Sequence, residues 1–253
     1  ITYFKMLDRI KCAVILAGGL GSRLENLTKL KPKPLITIKN KPILMHIIEL
    51  YLKFNVKNFI IPIGYKGEKI IEFFSNKKVD LKKKIIILEK KILNKKCKIT
   101  LIKTGIKTMT GGRVKQVGRL IKDREFFLTY GDGLSNVNIR KLEKLHKKEK
   151  KLITVTAVNL TSRFGELKTV KNKVVSFEEK KKIKSVWING GFFVVNRDFL
   201  KHLKNNQTVL EKEPLEKMVR IGQLNAFKHT GFWECVDTKR DRDYLNKLFK
   251  KNY

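Results

Sequence analysis

Cysteine, histidine and acidic residues are all scarce in this 253-residue chain, and each scarcity removes a class of function. The three cysteines, Cys12, Cys97 and Cys235, are odd in number and far apart, so they suggest neither a disulfide framework nor a zinc site; a reducing cytosol fits them best. The four histidines, His46, His146, His202 and His229, also lack metal-ligand spacing, and His46 falls on an apolar helical pattern where a structural role is expected. No segment approaches the ~18 consecutive apolar residues of a membrane span. Residues 1–10 mix Asp and Lys into a short apolar run, unlike a secretory signal. These absences predict a cytoplasmic protein with no membrane partner.

Acidic residues number 23 against 58 lysines and arginines, a formal net charge of +35 that makes a polyanion the first partner to consider. The lysines, however, are spread along the chain. Runs such as Lys82-Lys83-Lys84, Lys147-Lys148 and Lys180-Lys181-Lys182 sit between apolar stretches, as solvated faces do. A nucleic-acid binder predicts clustered arginine and exposed aromatic platforms, and no RNA- or DNA-binding motif is present. No specific nucleic-acid partner is therefore expected, although the basic surface can attract nucleotides.

Apolar runs of strand length alternate with amphipathic stretches: residues 13–17 as strand, 43–54 as helix, 59–63 as strand, 68–74 as helix. That order predicts βαβ units, an α/β fold and a mostly parallel sheet. Residues 126–130 read as a buried central strand ended by Gly131-Asp132-Gly133, which carries Asp132 to the carboxyl edge of the sheet. A lysine-rich, poorly periodic stretch at 80–98 is expected as a peripheral hairpin or excursion. Further extended segments are expected at 152–158, 167–177 and 186–195, with helices at 214–221 and 240–250. There is no internal repeat and no disordered linker, so residues 1–253 are read as a single domain.

The most informative stretch runs from Ile15 to Pro34, ILAGGLGSRLENLTKLKPKP. Gly18, Gly19 and Gly21 allow positive φ and close approach of the backbone, so that several N–H groups can converge on phosphate oxygens. Arg23 adds a cationic fork. Lys33, held between Pro32 and Pro34, adds a mobile point charge. The stretch is not a dinucleotide fingerprint, because Leu24 stands where a third glycine is needed, and not a P-loop, because Gly21-Ser22-Arg23 replaces Gly-Lys-Ser/Thr. The glycine cluster alone is equally consistent with an ordinary strand-to-helix turn.

Gly-Gly-x-Gly-Ser-Arg followed by Pro-Lys-Pro resembles the opening signature of sugar-1-phosphate nucleotidyltransferases. The downstream motifs are most similar to the glucose-1-phosphate cytidylyltransferase branch. They are Met109-Thr110-Gly111-Gly112-Arg113, Tyr130-Gly131-Asp132-Gly133, Arg163-Phe164-Gly165, Trp187 to Phe193, Glu213-Pro214-Leu215, and Lys228 to Trp233 leading to Asp237-Thr238. The likeness spans about residues 11–249. It implies a Rossmann-like mixed, mostly parallel sheet flanked by helices, the nucleotidyltransferase fold, and a homo-oligomer. In that family the stretch matching 80–98 is longer, less basic and helps build the oligomer.

The activity implied is transfer of CMP from CTP to a hexose 1-phosphate, glucose 1-phosphate above all, giving CDP-glucose of the kind used in polysaccharide biosynthesis. Such a transfer brings two anions together, so cations must be fixed between them, and magnesium suits carboxylate and phosphate oxygens. Asp132 and Asp237 are the candidate metal carboxylates. Spacing alone leaves Asp132 open as a turn residue and Asp237 as a helix-start residue, whereas the resemblance matches both to metal positions. Arg23 and Lys33 are the implied catalytic cations. The nucleotide contacts implied are Leu16, Ala17, Gly18, Gly19, Leu20, Gly21, Ser22, Arg23, Lys33, Thr104, Gly105, Thr110, Gly111, Arg113 and Gly131, those from Thr104 to Arg113 flanking a flexible stretch that reads as loop or anion nest. Gly165, Glu179, Lys180 and Asn189 are implied sugar contacts, although Lys181 stands where the family usually has proline. Trp187, Phe192 and Phe193 are expected to pack in the core. The alternatives are another NTP or phosphorylated substrate on the same machinery, or a noncatalytic regulatory protein on the same fold.

Overall fold

The computed structural model describes residues 9–21, 24, 28–75, 79–161, 166–178 and 182–251. Strand β1 (Cys12–Leu16) is followed by the short pair β2 (Thr37–Ile38) and β3 (Lys41–Pro42), helix α1 (Ile43–Lys53), β4 (Asn58–Ile63) and helix α2 (Gly67–Phe74). The hairpin β5 (Ile85–Ile92) and β6 (Lys95–Lys103) leads to α3 (Thr110–Val117), β7 (Glu125–Tyr130), β8 (Gly133–Ser135) and α4 (Ile139–Glu149). Then come β9 (Ile153–Thr161), the hairpin β10 (Glu166–Val170) and β11 (Lys173–Glu178), β12 (Lys182–Asn196), α5 (Glu213–Arg220), β13 (Leu224–His229), β14 (Trp233–Cys235) and α6 (Lys239–Lys251).

Eight strands form the central sheet in the order β13-β9-β12-β7-β1-β4-β6-β5. The run β7-β1-β4-β6 is parallel, as is β9 with β13, while β12 and β5 run against their neighbours. The expected mixed, mostly parallel sheet is the one found. Its central strands are buried on both sides, as parallel strands covered by helices must be. In β1, Ala13 and Ile15 face one apolar cluster with α1, α2 and α4, and Val14 and Leu16 face a second with α3 and α5. Phe192 and Phe193, each 1% exposed, divide between the same two clusters and pack in the core as expected; Trp187 is only half-buried, with the Lys228 ammonium 5.2 Å from its ring centre.

The lysine-rich stretch at 80–98 holds a hairpin at the periphery of the sheet, as expected: β5 is the edge strand and β6 pairs in parallel with β4. Apolar residues between its lysines, Ile86, Cys97 and Ile99 among them, turn inward and are buried, leaving a half-solvated edge. Two other segments differ from their sequence reading. Residues 167–177 are a hairpin rather than one extended segment, with Lys171 at a left-handed φ of 51° in its turn. Thr110-Gly111-Gly112-Arg113 opens a helix, not a loop. A Cβ on Gly111 would lie 2.8 Å from the Thr208 side chain, and one on Gly112 2.5 Å from the Asn206 carbonyl oxygen, so these glycines serve close helix packing. Among the described residues, no helix is long and apolar enough to cross a membrane.

Candidate active site

Parallel pairing of β1 with β7 sets Leu16 beside Tyr130, so the glycine-rich loop and Gly131-Asp132 leave the sheet at one edge. The two exits lie very close. A Cβ on Gly131 would come within 2.5 Å of the Leu16 carbonyl oxygen and 3.3 Å of Pro34, which only glycine avoids. Of the three glycines expected to use positive φ, Gly21 alone does so, at 65°. Its bare Cα also lets the Lys33 stem pack against the loop.

Asp132 and Asp237 are far apart in sequence and meet through a two-stranded ribbon. β8 pairs antiparallel with β14, Gly133 opposite Cys235, and the Val236 N–H donates to the Asp132 carbonyl at 3.0 Å. The two carboxylates therefore flank the same end of the ribbon. Lys33 reaches them from the short 3-10 turn at Lys33–Leu35, its Nζ donating to Asp132 Oδ2 at 2.7 Å and to Asp237 Oδ1 at 2.6 Å. Burial alone would lower the Lys33 pKa, but the two carboxylates outweigh it and hold the ammonium above its usual range. Donor atoms of Asp132, Cys235 and Asp237 all lie within 4.8 Å of one another. Burial, then the Asp132 charge, push the Cys235 thiol well up, so it stays protonated there.

At the start of α6, Thr238 and Asp241 supply the capping side chains. Thr238 Oγ1 accepts from the Asp241 N–H at 3.2 Å while Asp241 Oδ2 accepts from the Thr238 N–H at 2.8 Å, a reciprocal cap. Thr238 and Asp241 satisfy the helix start. The Asp237 carboxylate is left to face Lys33 and a cavity of about 1190 Å³ that Asp132, Asn189 and Trp233 also line.

Beneath the glycine-rich loop, Arg113 is 3% exposed and binds the protein itself. Its Nη2 donates to the carbonyls of Gly18 at 2.7 Å and Ile106 at 3.3 Å, and its Nη1 to the Thr104 hydroxyl and the Ile63 carbonyl. Burial lowers its pKa to about 10. A side chain on Gly18 would collide with this guanidinium, so Gly18 is required for that approach and not for its φ. The Thr104 hydroxyl donates in turn to the Ile63 carbonyl at 2.9 Å.

Next to Tyr130, which lines the cavity, the Glu211 carboxylate accepts from the Tyr130 hydroxyl at 2.6 Å and from the hydroxyl of the expected site residue Thr110 at 2.7 Å. Asn189 Nδ2 lies 3.3 Å from the same Tyr130 oxygen, and its Oδ1 accepts from the Gly191 N–H. Burial and Glu211 hold the Tyr130 phenol strongly protonated.

Residues 12–242 match the family model described as nucleotidyl transferase. The chain belongs to that family. It is 42% identical over 248 residues to a glucose-1-phosphate cytidylyltransferase of Salmonella typhi, a match covering 94% of this chain and 96% of that one. It is 39% identical over 247 residues, with the same coverage, to a probable glucose-1-phosphate cytidylyltransferase of Bacillus subtilis. The crystal structure of HddC from Yersinia pseudotuberculosis superposes with a TM-score of 0.70 at 23% identity, covering 95% of this chain and all of that one, a likeness of fold.

Among the expected site residues, the structure brings together Leu16, Gly21, Lys33, Gly131, Asp132 and Asp237 at one sheet edge, Asn189 lines the same cavity as Asp132 and Asp237, and Thr110 is bonded to Glu211. Ala17 is buried and bridges to Ile63, while Gly19 and Leu20 are exposed. Thr104 and Arg113 turn inward, and Gly105 begins the turn after β6. Ser22, Arg23, Gly165, Glu179 and Lys180 lie outside the described residues. Glu211, Thr238 and Asp241 were not singled out from sequence. For the last two, Thr-x-x-Asp ahead of a helical pattern was the available signal; nothing local marks Glu211.

Proposed function

We propose that this protein transfers CMP from CTP to glucose 1-phosphate, releasing pyrophosphate and CDP-glucose. A sugar-phosphate oxygen forms the new bond to the α-phosphorus of CTP, and the bond from that phosphorus to the bridging oxygen of the β-phosphate breaks in line. The nucleophile is already deprotonated near neutral pH, so positioning and charge neutralisation are what the protein must supply. The observation that carries this reading is the Asp132–Lys33–Asp237 cluster at the carboxyl ends of β1 and β7, in a chain 42% identical to a protein named for this activity.

The donor set fits a magnesium ion. Two carboxylates converge on one point beside an open cavity, and the Lys33 ammonium between them is a stand-in cation. Asp132 and Asp237 would hold the ion; when bound, it neutralises phosphate charge as a Lewis acid. Lys33, displaced from its two carboxylates, would turn to the α-phosphate or the sugar phosphate, with Arg23 on the β- and γ-phosphates. Arg113 would act through Gly18, fixing the loop rather than touching the nucleotide. Asn189 and Tyr130 would face the sugar. Residues 1–253 are proposed to work as one domain.

The test is pyrophosphate release with each of the four common NTPs against a panel of sugar phosphates and magnesium. The expected result is highest release with CTP and glucose 1-phosphate. Absence of release with every pair would remove the enzyme reading.

A further inference from the structure

Lysine is dispersed along the sequence, but the fold gathers arginine. A cleft of about 940 Å³ lies between the C-terminal end of α3, the turn leading into β7, and the 3-10 turn Arg197–His202 that follows β12. Because these segments precede β7 and follow its antiparallel neighbour, they meet at the sheet edge opposite Asp132. Six cations line the cleft: Lys115, Arg119, Lys122, Arg124, Arg197 and Lys201. Asp198 is the one carboxylate in the lining, and Lys201 holds it at 2.6 Å.

Compositional bias does not account for this cluster. Arginine makes up 11 of the chain's 58 cations but three of the six here. The Arg197 N–H donates to the Arg124 carbonyl at 2.8 Å, which fixes two of the arginines side by side. Among the described residues, the side chains of Arg119, Lys122 and Arg197 have no hydrogen-bond or ion-pair partner. Like charges held together repel one another, Asp198 offsets only part of the six, and a polyanion relieves the remaining repulsion. The planar fork of arginine suits phosphate oxygens in particular, because two parallel N–H groups match two oxygens.

We propose that this cleft is a second anion site, taking a small ligand with two or more phosphoryl groups, apart from the cavity of Asp132 and Asp237. The probe is inorganic tripolyphosphate, titrated calorimetrically into the whole chain at 0.15 M salt. The comparison is with an Arg119→Gln/Arg124→Gln/Arg197→Gln variant and with a Lys82→Gln/Lys83→Gln/Lys147→Gln/Lys148→Gln control of similar charge loss. The arginine variant is expected to lose one binding equivalent, or to weaken it at least ~10-fold, while its melting temperature and pyrophosphate release stay near wild type. An Arg→Lys version of the same three positions separates forks from charge and is expected to recover only part of the affinity. Retention of every equivalent in the arginine variant would overturn the proposal, as would an equal loss in the lysine control, which would mean diffuse attraction. Single-stranded RNA that bound through the same arginines more tightly than tripolyphosphate would overturn it in favour of a nucleic-acid surface.

Discussion

Replacing Lys33 with methionine is expected to move two properties in opposite directions. Lys33→Met keeps the unbranched stem that packs against Gly21 and removes an ammonium lying 2.7 Å and 2.6 Å from the oxygens of Asp132 and Asp237. Removing a donor that stabilises developing charge costs about 2.7–4 kcal/mol, so turnover should fall roughly 100- to 1000-fold. Divalent-ion affinity of the nucleotide-free protein should instead rise, because ion and ammonium compete for the same oxygens. Unit charges 4 Å apart repel by about 1 kcal/mol even with water-like screening. A doubly charged ion is therefore relieved of about 2 kcal/mol, roughly 30-fold in affinity. Manganese(II) titration followed by electron paramagnetic resonance reads the second effect, and initial rates of pyrophosphate release read the first. Unchanged or weaker manganese binding would show that Lys33 does not occupy the cation position; turnover within threefold of wild type would show that the ammonium takes no part in the reaction.

Asp132→Asn and Asp237→Asn keep shape and remove charge, and each is expected to raise the magnesium concentration needed for half-maximal rate at least ~10-fold; magnesium titrations of rate with unchanged midpoints would place the ion elsewhere. Gly131→Ala should cut turnover at least ~10-fold by forcing apart the exits of β1 and β7, since its Cβ would sit 2.5 Å from the Leu16 oxygen; a rate near wild type would mean that the two exits have slack. His146 is 1% exposed beside Thr154, and burial pushes its pKa down to about 4 from an ordinary 6.5. Its folded form binds its proton less readily than the unfolded chain, so its contribution is intact above about pH 6.5 and is lost as pH falls toward 4. The urea-derived stability lost between pH 7.5 and 5 should be about 2 kcal/mol smaller in His146→Gln, and equal losses in both proteins would exclude this assignment.

The parts of this fold legible in sequence are those whose period survives burial. Strands β1, β4 and β7 and helices α1 and α2 begin and end within a residue or so of expectation, because continuous apolar runs and amphipathic stretches mark a covered parallel sheet. Segments set by tertiary contacts were less legible. Gly111 and Gly112 read locally as loop, yet the backbone near Asn206 and Thr208 needs them inside α3. The β5–β6 hairpin was expected at the periphery, but its parallel pairing with β4 was not legible behind the lysines of its solvent face. Within the site, Lys33, Asp132 and Asp237 could be named individually, but the ribbon register that joins them could not. Arg113 was named from its motif as a nucleotide contact, and its bonds to the carbonyls of Ile63, Gly18 and Ile106 were not legible in the sequence. The arginine cleft was invisible for a related reason: its cations come from separate stretches that only the sheet brings together.

The most direct measurement supplies CTP labelled at the α-phosphorus together with glucose 1-phosphate and magnesium, and follows the label through chromatography coupled to mass spectrometry. The label is expected in CDP-glucose with one equivalent of unlabelled pyrophosphate, and combining Asp132→Asn with Asp237→Asn is expected to abolish both. Label remaining in CTP, or passing to CMP without the sugar, would contradict the proposed transfer.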